Sequence, residues 1–304
     1  MRYFLIAISS FFVASAFGQY TSLQSQYMFN SIALNPAATG SEDAMSIVGT
    51  FRAQWIGFPG APTTQALTMH APLKKLNSSI GAQLYADQIG VDNRTTVNGL
   101  YSYRFKLKKA NLRLGLSGGV SFVQSNYAEL QVFTPDDEEI STNTPVGVLP
   151  NVGVGAYYTA EKYFLSFSIP MLLGHRFEGA RFRSFSDVNN YNILVGGGYN
   201  FDLKNEMVLK PSVLLKMRVN NRPQLDLNTK LQLNQRFDIG VSYRTEEALI
   251  GMFVVKMTNQ FHAMYSFGVP LSAIVQNTFG SHELSIKYNF VYKSNSQWPR
   301  FAGW

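Results

Sequence analysis

The chain has 304 residues, of which 46% are hydrophobic and 15% are charged, and its mean hydropathy is close to zero at -0.05. Beyond the N-terminus no run of about 18 apolar residues occurs, which indicates that the chain does not cross a membrane as helices. The lack of cysteine excludes disulfides, thiolate metal sites and a lipidated N-terminus. The net charge of +7 comes from singly scattered basic residues, a distribution that argues against nucleic-acid binding.

The first residues have the layout of a secretory signal peptide. A basic start at Arg2 precedes an apolar stretch, and small residues end that stretch at Ala16 and Gly18. We therefore predict a signal peptide over residues 1–18, cleavage near Gly18 and a mature chain that begins at Gln19.

Residues 19–43 are predicted to form an N-terminal plug or a periplasmic segment. Tyr27, Met28 and Phe29 are too apolar for a free tail, and Pro36 changes the direction of the chain. A segment tucked into the mouth of a barrel and an ordered periplasmic arm explain this composition equally well.

Alternating hydrophobicity over residues 44–292 predicts an all-β fold, a transmembrane antiparallel β-barrel of about 14 strands. The pattern is clearest over residues 207–233, where two runs of roughly 11 residues have the length that a tilted strand needs to cross a bilayer. The first strand is predicted over residues 44–56. Near residues 249–257 both registers are apolar, so the facing of that strand stays open.

The predicted connections alternate in length around the barrel. Long loops are expected at residues 126–146, 172–189 and 268–280, after the fifth, seventh and thirteenth strands, whereas the connections at the other rim are short. Long outer loops and short periplasmic turns are typical of bacterial barrels, and an even strand number places both chain ends at the rim of short turns.

The two faces of the hairpin over residues 207–233 differ in chemistry. Apolar side chains such as Leu227 are predicted to face lipid, and polar ones such as Asp226 and Asn228 to line a water-filled lumen. On this assignment Leu227→Arg should cost about 2–4 kcal/mol near the bilayer midplane, whereas Asn228→Arg should be tolerated.

The sequence carries no convincing motif for catalysis, a cofactor or a metal. The glycine runs at 115–119 and 196–198 lack the helix and the lysine of a phosphate loop. The acidic cluster at 136–139 lacks the spaced oxygen ligands of a calcium site, and the four histidines lack metal-ligand spacing. We therefore predict a protein that is not an enzyme and that has no cofactor and no metal.

Several stretches resemble the PorP/SprF family of the type IX secretion system. They lie at residues 26–30, 34–37, 52–65 and 87–90 and in the last strand from residue 281, so the resemblance covers nearly the whole mature chain. The residues that we predict as the functional block of the family motif are Tyr27, Met28, Phe29, Asn30, Asn35, Pro36, Arg52, Gln54, Trp55, Gly57 and Phe58.

The resemblance implies an outer-membrane barrel of a gliding or secreting bacterium, surrounded by outer-membrane lipid. Such a barrel assists export or surface attachment of large adhesins that carry a type-B C-terminal signal domain, and it is linked to periplasmic ring or motor components. No catalytic residue comes with the family. A C-terminal tail over residues 293–304 is predicted beyond the barrel. The alternative is a plugged diffusion or hydrophobic-solute channel, which the charged inner face suggests.

Overall fold

The fold is described from a computed structural model, which covers residues 24–42, 44–73, 76–127, 143–178, 181–187, 189, 191–219, 221–234 and 236–290. The predicted signal peptide (1–18), the C-terminal tail (293–304) and the acidic cluster at 136–139 lie outside the described residues. Within the described part, no helix has the length and apolar content required to span a membrane.

The described chain consists almost entirely of strands. These are β1 (Met45–Ala53), β2 (Thr63–Leu73), β3 (Ser78–Ile89), β4 (Asp92–Lys106), β5 (Ala110–Ser125), β6 (Gly147–Ala160), β7 (Tyr163–Ile169), β8 (Gly174–Glu178), β9 (Arg181–Phe185), β10 (Ile193–Tyr199), β11 (Phe201–Asp202), β12 (Val208–Met217), β13 (Gln224–Leu233), β14 (Phe237–Arg244), β15 (Ala248–Lys256), β16 (Phe261–Pro270) and β17 (Ser281–Phe290). Four short 3-10 helices accompany them, at Ser25–Phe29, Ser31–Ala33, Pro36–Ala38 and Ala273–Asn277.

The strands close into a ring of antiparallel neighbours. Sequential strands pair along the wall, β1 pairs with β17 from Met45 opposite Phe290, and β7 pairs with β10 across the small hairpin of β8 and β9. Both β10 and β11 pair with β12 in one register and are separated only by Asn200, so together they make one strand of the wall. The predicted closed antiparallel barrel of 14 strands is thereby confirmed.

Outward side chains are apolar along the wall, because an alternating strand presents every second residue to the outside. Leu116, Leu227 and Val241 are 56%, 49% and 54% exposed, while their inward neighbours are half-buried or buried. In the hairpin of β12 and β13, the apolar side chains that alternation predicts to face lipid, such as Leu227, do point outward. The two ring edges also differ as expected, since one carries the short turns together with the start of β1 and the end of β17. We call this edge the turn rim and the opposite edge the loop rim.

Three sequence predictions need correction. The first strand ends at Ala53 rather than at residue 56, because Trp55 takes a positive φ of 51° and turns the chain. The second long loop, over residues 172–189, is not purely irregular, since β8 and β9 form a hairpin within it. The inward charges near Asp226 do not line water, because the side chains of Asp226, Lys216 and Arg244 are 0 to 1% exposed.

Candidate functional site

The chain from residue 24 to residue 42, which we call the luminal segment, lies inside the ring of strands. It consists of three 3-10 helices, and Tyr27, Asn35 and Ala37 in it are completely buried. Its hydrogen bonds reach opposite walls, to β17 on one side and to β7 on the other. The segment therefore crosses the interior in contact with the strands around it.

The end of the luminal segment near the loop rim is fixed by one buried carboxylate. Glu283, near the start of β17, accepts the backbone N–H of Ser25 at 2.7 Å and that of Gln26 at 2.9 Å. The amide of Gln26 donates in turn to the backbone oxygen of Glu283 at 2.8 Å. Arg52 on β1 lies 3.8 Å from the same carboxylate, so its charge is compensated inside the wall.

Tyr27 is held by a second buried cluster on β12, β13 and β14. Its hydroxyl donates to Asp226 at 3.1 Å and accepts from the amide of Asn228 at 2.8 Å. Asp226 also pairs with Lys216 and Arg244, each at 3.1 Å. Charges buried to this degree persist only when they are paired and hydrogen-bonded, and here the phenol of the luminal segment is one of the partners.

The turn after β14 extends this cluster toward the loop rim. Glu247 accepts from Arg244 at 2.8 Å and from the amide of Gln224 at 2.8 Å. Burial of the carboxyl opposes its ionisation, but the positive charges of Arg244 and Lys216 outweigh that effect and lower the pKa of Glu247 to about 2.

An apolar part of the wall receives Phe29 and its neighbours. Val254 of β15 is buried together with Val48 and Met264, and Phe29 packs against these three side chains. The ammonium of Lys230 lies 4.5 Å from the centre of the Phe29 ring, a cation–π geometry. In β15, Ile250, Met252 and Val254 face inward and are buried, while Leu249, Gly251 and Phe253 face outward. This assigns the strand that the sequence left open.

The middle of the luminal segment rests against the opposite wall. The side-chain amide of Asn35 donates to Ser166 at 2.9 Å and to the backbone oxygen of Ala156 at 3.0 Å, and its oxygen accepts from the N–H of Ala37 at 2.8 Å. Asn35 thus caps the helix Pro36–Ala38 while it binds two strands. Glycine is required at 115 on β5, because a Cβ there would collide with the backbone of Ala37.

The luminal segment ends near the turn rim. Ser102 donates to the backbone oxygen of Thr39 at 2.7 Å, and Arg113 donates to that of Gly40 at 3.2 Å. Glu42 pairs with Lys287, three residues before the end of β17. The segment is therefore fixed at both ends and along its length.

The residues of the predicted functional block fall into two groups. Tyr27, Met28, Phe29, Asn30, Asn35 and Pro36 belong to the luminal segment, and Arg52 and Gln54 lie buried at the loop-rim end of β1 beside its anchor. Trp55, Gly57 and Phe58 lie instead in the connection between β1 and β2, on the loop rim. The structure brings the first group together inside the ring and leaves the second group at its edge.

Sequence reasoning did not identify the wall residues that bind the luminal segment. Asp226 and Glu283 accept hydrogen bonds from the luminal segment and Arg244 pairs with Asp226, whereas alternation alone predicts Asp226 as part of a water-filled lumen. Their signal in the sequence is a charge at an inward position of an alternating strand. That pattern identifies an inward charge but does not identify its partner, which lies about 200 residues away along the chain in the case of Tyr27 and Asp226.

Residues 16–288 match the family model described as "Type IX secretion system membrane protein PorP/SprF". The chain belongs to the PorP/SprF family. As a PorP/SprF barrel it is associated with the type IX secretion machinery and lies in the outer membrane. In bacterial barrels the rim of short turns faces the periplasm and the rim of long loops faces the cell exterior, which is the orientation expected for the turn rim and the loop rim.

One solved outer-membrane channel shares the fold of this PorP/SprF protein, and a second barrel is similar over most of its length. The "CymD monoaromatic hydrocarbon channel" is 12% identical, with 91% of this chain and 96% of that chain covered and a TM-score of 0.52. A Pseudomonas aeruginosa FadL homologue is 10% identical, with 90% and 96% covered and a TM-score of 0.49. At 12% identity the likeness to the CymD channel shows the fold alone. Comparison with curated proteins finds no match.

Proposed function

We propose that this PorP/SprF protein is a non-enzymatic, plugged barrel that holds or guides a secreted adhesin with a type-B C-terminal domain at the cell surface. Periplasmic ring or motor components contact it from the other side. The observation that carries the proposal is the luminal segment. A lumen occupied by the protein's own chain, and bound to it through buried ion pairs and hydrogen bonds, favours a binding platform over an open pore.

The adhesin contact that we propose is an apolar patch on the loop rim, formed by Ile56, Phe58 and Phe279. These side chains are 38%, 43% and 78% exposed. The patch is held in place by the backbone, because Ile56 donates to Gly280 at 2.9 Å and accepts from Phe279 at 2.8 Å. A cluster of exposed apolar groups on a fixed scaffold is typical of an interaction site.

The test replaces the patch by charge. Phe279→Asp together with Phe58→Asp should reduce the amount of adhesin at the cell surface several-fold, measured by antibody labelling of intact cells. The matched control is Gln276→Asp, which adds a carboxylate to the same connection without removing an apolar group. Heat-modifiable migration of each variant on gels reports whether the barrel is folded. Unchanged adhesin display by a folded double variant would reject the patch as the contact.

The alternative function, a diffusion or hydrophobic-solute channel, is favoured by a cavity that remains beside the luminal segment. Single-channel recordings of the purified barrel in planar bilayers separate the two functions. We expect no stable conductance, because the luminal segment crosses the interior and is bound to the strands at both of its ends. A stable open conductance of the wild-type protein would instead favour the channel.

A further inference from the structure

A cavity of about 170 Å³ separates the luminal segment from the inner faces of β3 to β6. Asp87 and Arg94 lie at its loop-rim end, and Ile32, Leu34 and Leu100 lie deeper. Engineered protein cavities of about 150 Å³ accept benzene, so this cavity has room for one six-membered ring. Arg94 is exposed whereas Leu34 and Ile32 are buried, which places the mouth at the cell exterior and the floor on the luminal segment.

Below Asp87 and Arg94, which lie at the mouth, the wall of the cavity opposite the luminal segment is polar and uncharged. Its hydrogen-bonding groups come from four adjacent strands and include the side chains of Gln83, Thr96, Asn98, Ser117, Ser121 and Asn151. Several are already paired with one another, since Thr96 and Ser121 lie 2.7 Å apart and Asn98 donates to Gln83 at 3.3 Å. The cavity therefore has one apolar face and one face of amides and hydroxyls.

Three amide groups around the cavity are incompletely satisfied within the described residues. Gln24 keeps its Nε2 donor without a partner, and Asn151 and Asn192 each keep an Oδ1 acceptor without one. Gln24 and Asn151 are themselves 6% and 8% exposed. Leaving such a buried group unpaired costs about 1–3 kcal/mol, so most native structures supply a partner. The missing partners are one acceptor and two donors.

We propose that this cavity binds the pyranose ring of a neutral sugar, either free or at the end of a surface glycan. Each sugar hydroxyl both donates and accepts, as the wall of amides and hydroxyls requires. The C–H face of the ring matches the apolar floor of Ile32 and Leu34. A purely apolar ring would leave the polar wall unmatched, and an ionised ligand would find no buried counter-charge at the neutral centre of that wall. The proposal does not depend on the role in secretion.

Binding is measured on the purified full-length barrel in detergent by saturation-transfer NMR. The probes are glucose, galactose, mannose and N-acetylglucosamine, each also as its methyl glycoside. We expect saturable binding of at least one of them. Binding of the glycoside as tightly as the free sugar identifies a glycan end as the natural source, and binding of the free sugar alone identifies the monosaccharide.

Two variants change the cavity and one serves as the control. Ser117→Phe fills the cavity, and Asn98→Leu removes a polar group from its wall, so each should weaken binding about tenfold or more. Gln88→Leu changes an exposed amide on the outer face of β3 and should bind as the wild type does. Heat-modifiable migration confirms that each barrel is folded.

Three outcomes overturn the proposal. The first is that none of the sugars binds the wild-type barrel. The second is sugar binding that both cavity variants retain, which would place the site elsewhere. The third is binding of toluene or of a neutral dipeptide, lost in Ser117→Phe, while no sugar binds. That result would keep the cavity as a ligand site and remove the sugar from it.

Discussion

The two sides of the lumen are built from different residues. On the side of β12 to β17, the inward groups are charges and large apolar side chains, and the luminal segment packs directly on them through Tyr27 and Phe29. On the side of β3 to β6, the middle of the wall presents neutral amides and hydroxyls, and a cavity remains in front of it. Within the described residues, the buried charges of β12 to β17 therefore mark the part of the wall against which the luminal segment packs.

The largest effect is expected from removing the charge at the centre of the filled side. Asp226→Asn leaves Lys216 without its buried partner and Arg244 with Glu247 alone. Breaking a buried pair from one side costs about 3–5 kcal/mol, so the midpoint of urea unfolding in lipid vesicles should fall strongly. The matched control is Glu246→Gln, whose pair with Arg222 is more than 70% exposed on both sides and should matter by about 1 kcal/mol or less. Equal shifts of the urea midpoint in the two variants would contradict the conclusion that the buried ion pairs of Asp226 stabilise the barrel.

Neighbouring residues on β13 test the inner and outer faces separately. Leu227→Arg places a charge in lipid and should cost about 2–4 kcal/mol. The expectation that Asn228→Arg is tolerated is wrong, because Asn228 is only 3% exposed and donates to Tyr27. We now expect Asn228→Arg to be damaging as well, by about 1–3 kcal/mol.

The two costs have different origins, and a second substitution separates them. Tyr27→Ala removes the side chain that Arg at 228 would displace, so the additional cost of Asn228→Arg should shrink in that background. The cost of Leu227→Arg should stay the same, because lipid contacts do not involve Tyr27. Urea unfolding of the single and double variants gives the comparison, and equal coupling of both positions to Tyr27 would reject the assignment of faces.

A smaller effect is expected from the hydroxyl that joins the luminal segment to the wall. Tyr27→Phe keeps the ring but removes the group between Asp226 and Asn228, at a cost of about 1–2 kcal/mol in unfolding free energy. Tyr243→Phe on the outer face of β14, where the side chain is 43% exposed, is the matched control and should have little effect. If Tyr243→Phe lowered the unfolding free energy as much as Tyr27→Phe does, the hydrogen bonds of Tyr27 would contribute nothing specific.

Alternation predicted the wall well because lipid imposes one chemistry on every outward position. It failed where the inner face depends on the luminal segment. The inward residues of β15 are apolar because they pack against the helix Ser25–Phe29; they are Ile250, Met252 and Val254. Both faces of β15 are therefore apolar in the sequence. Asn228 was misjudged for the same reason. Partners so distant in sequence leave no local pattern, and the sequence could place neither the anchors nor the cavity between them.

The smallest expected effect concerns pH and the outer end of the charged cluster. The folded pKa of Glu247 is lowered from 4.5 to about 2, so its contribution to stability is complete above pH 4.5 and is lost as the pH falls toward 2. The side chain is one-third exposed, so water screens the interaction and the contribution should be about 1 kcal/mol. Unfolding curves of the wild type and of Glu247→Gln should therefore differ at pH 6 and converge near pH 2. A difference that grows as the pH falls would have the wrong sign, and it would mean that Arg244 and Lys216 do not stabilise the ionised carboxylate.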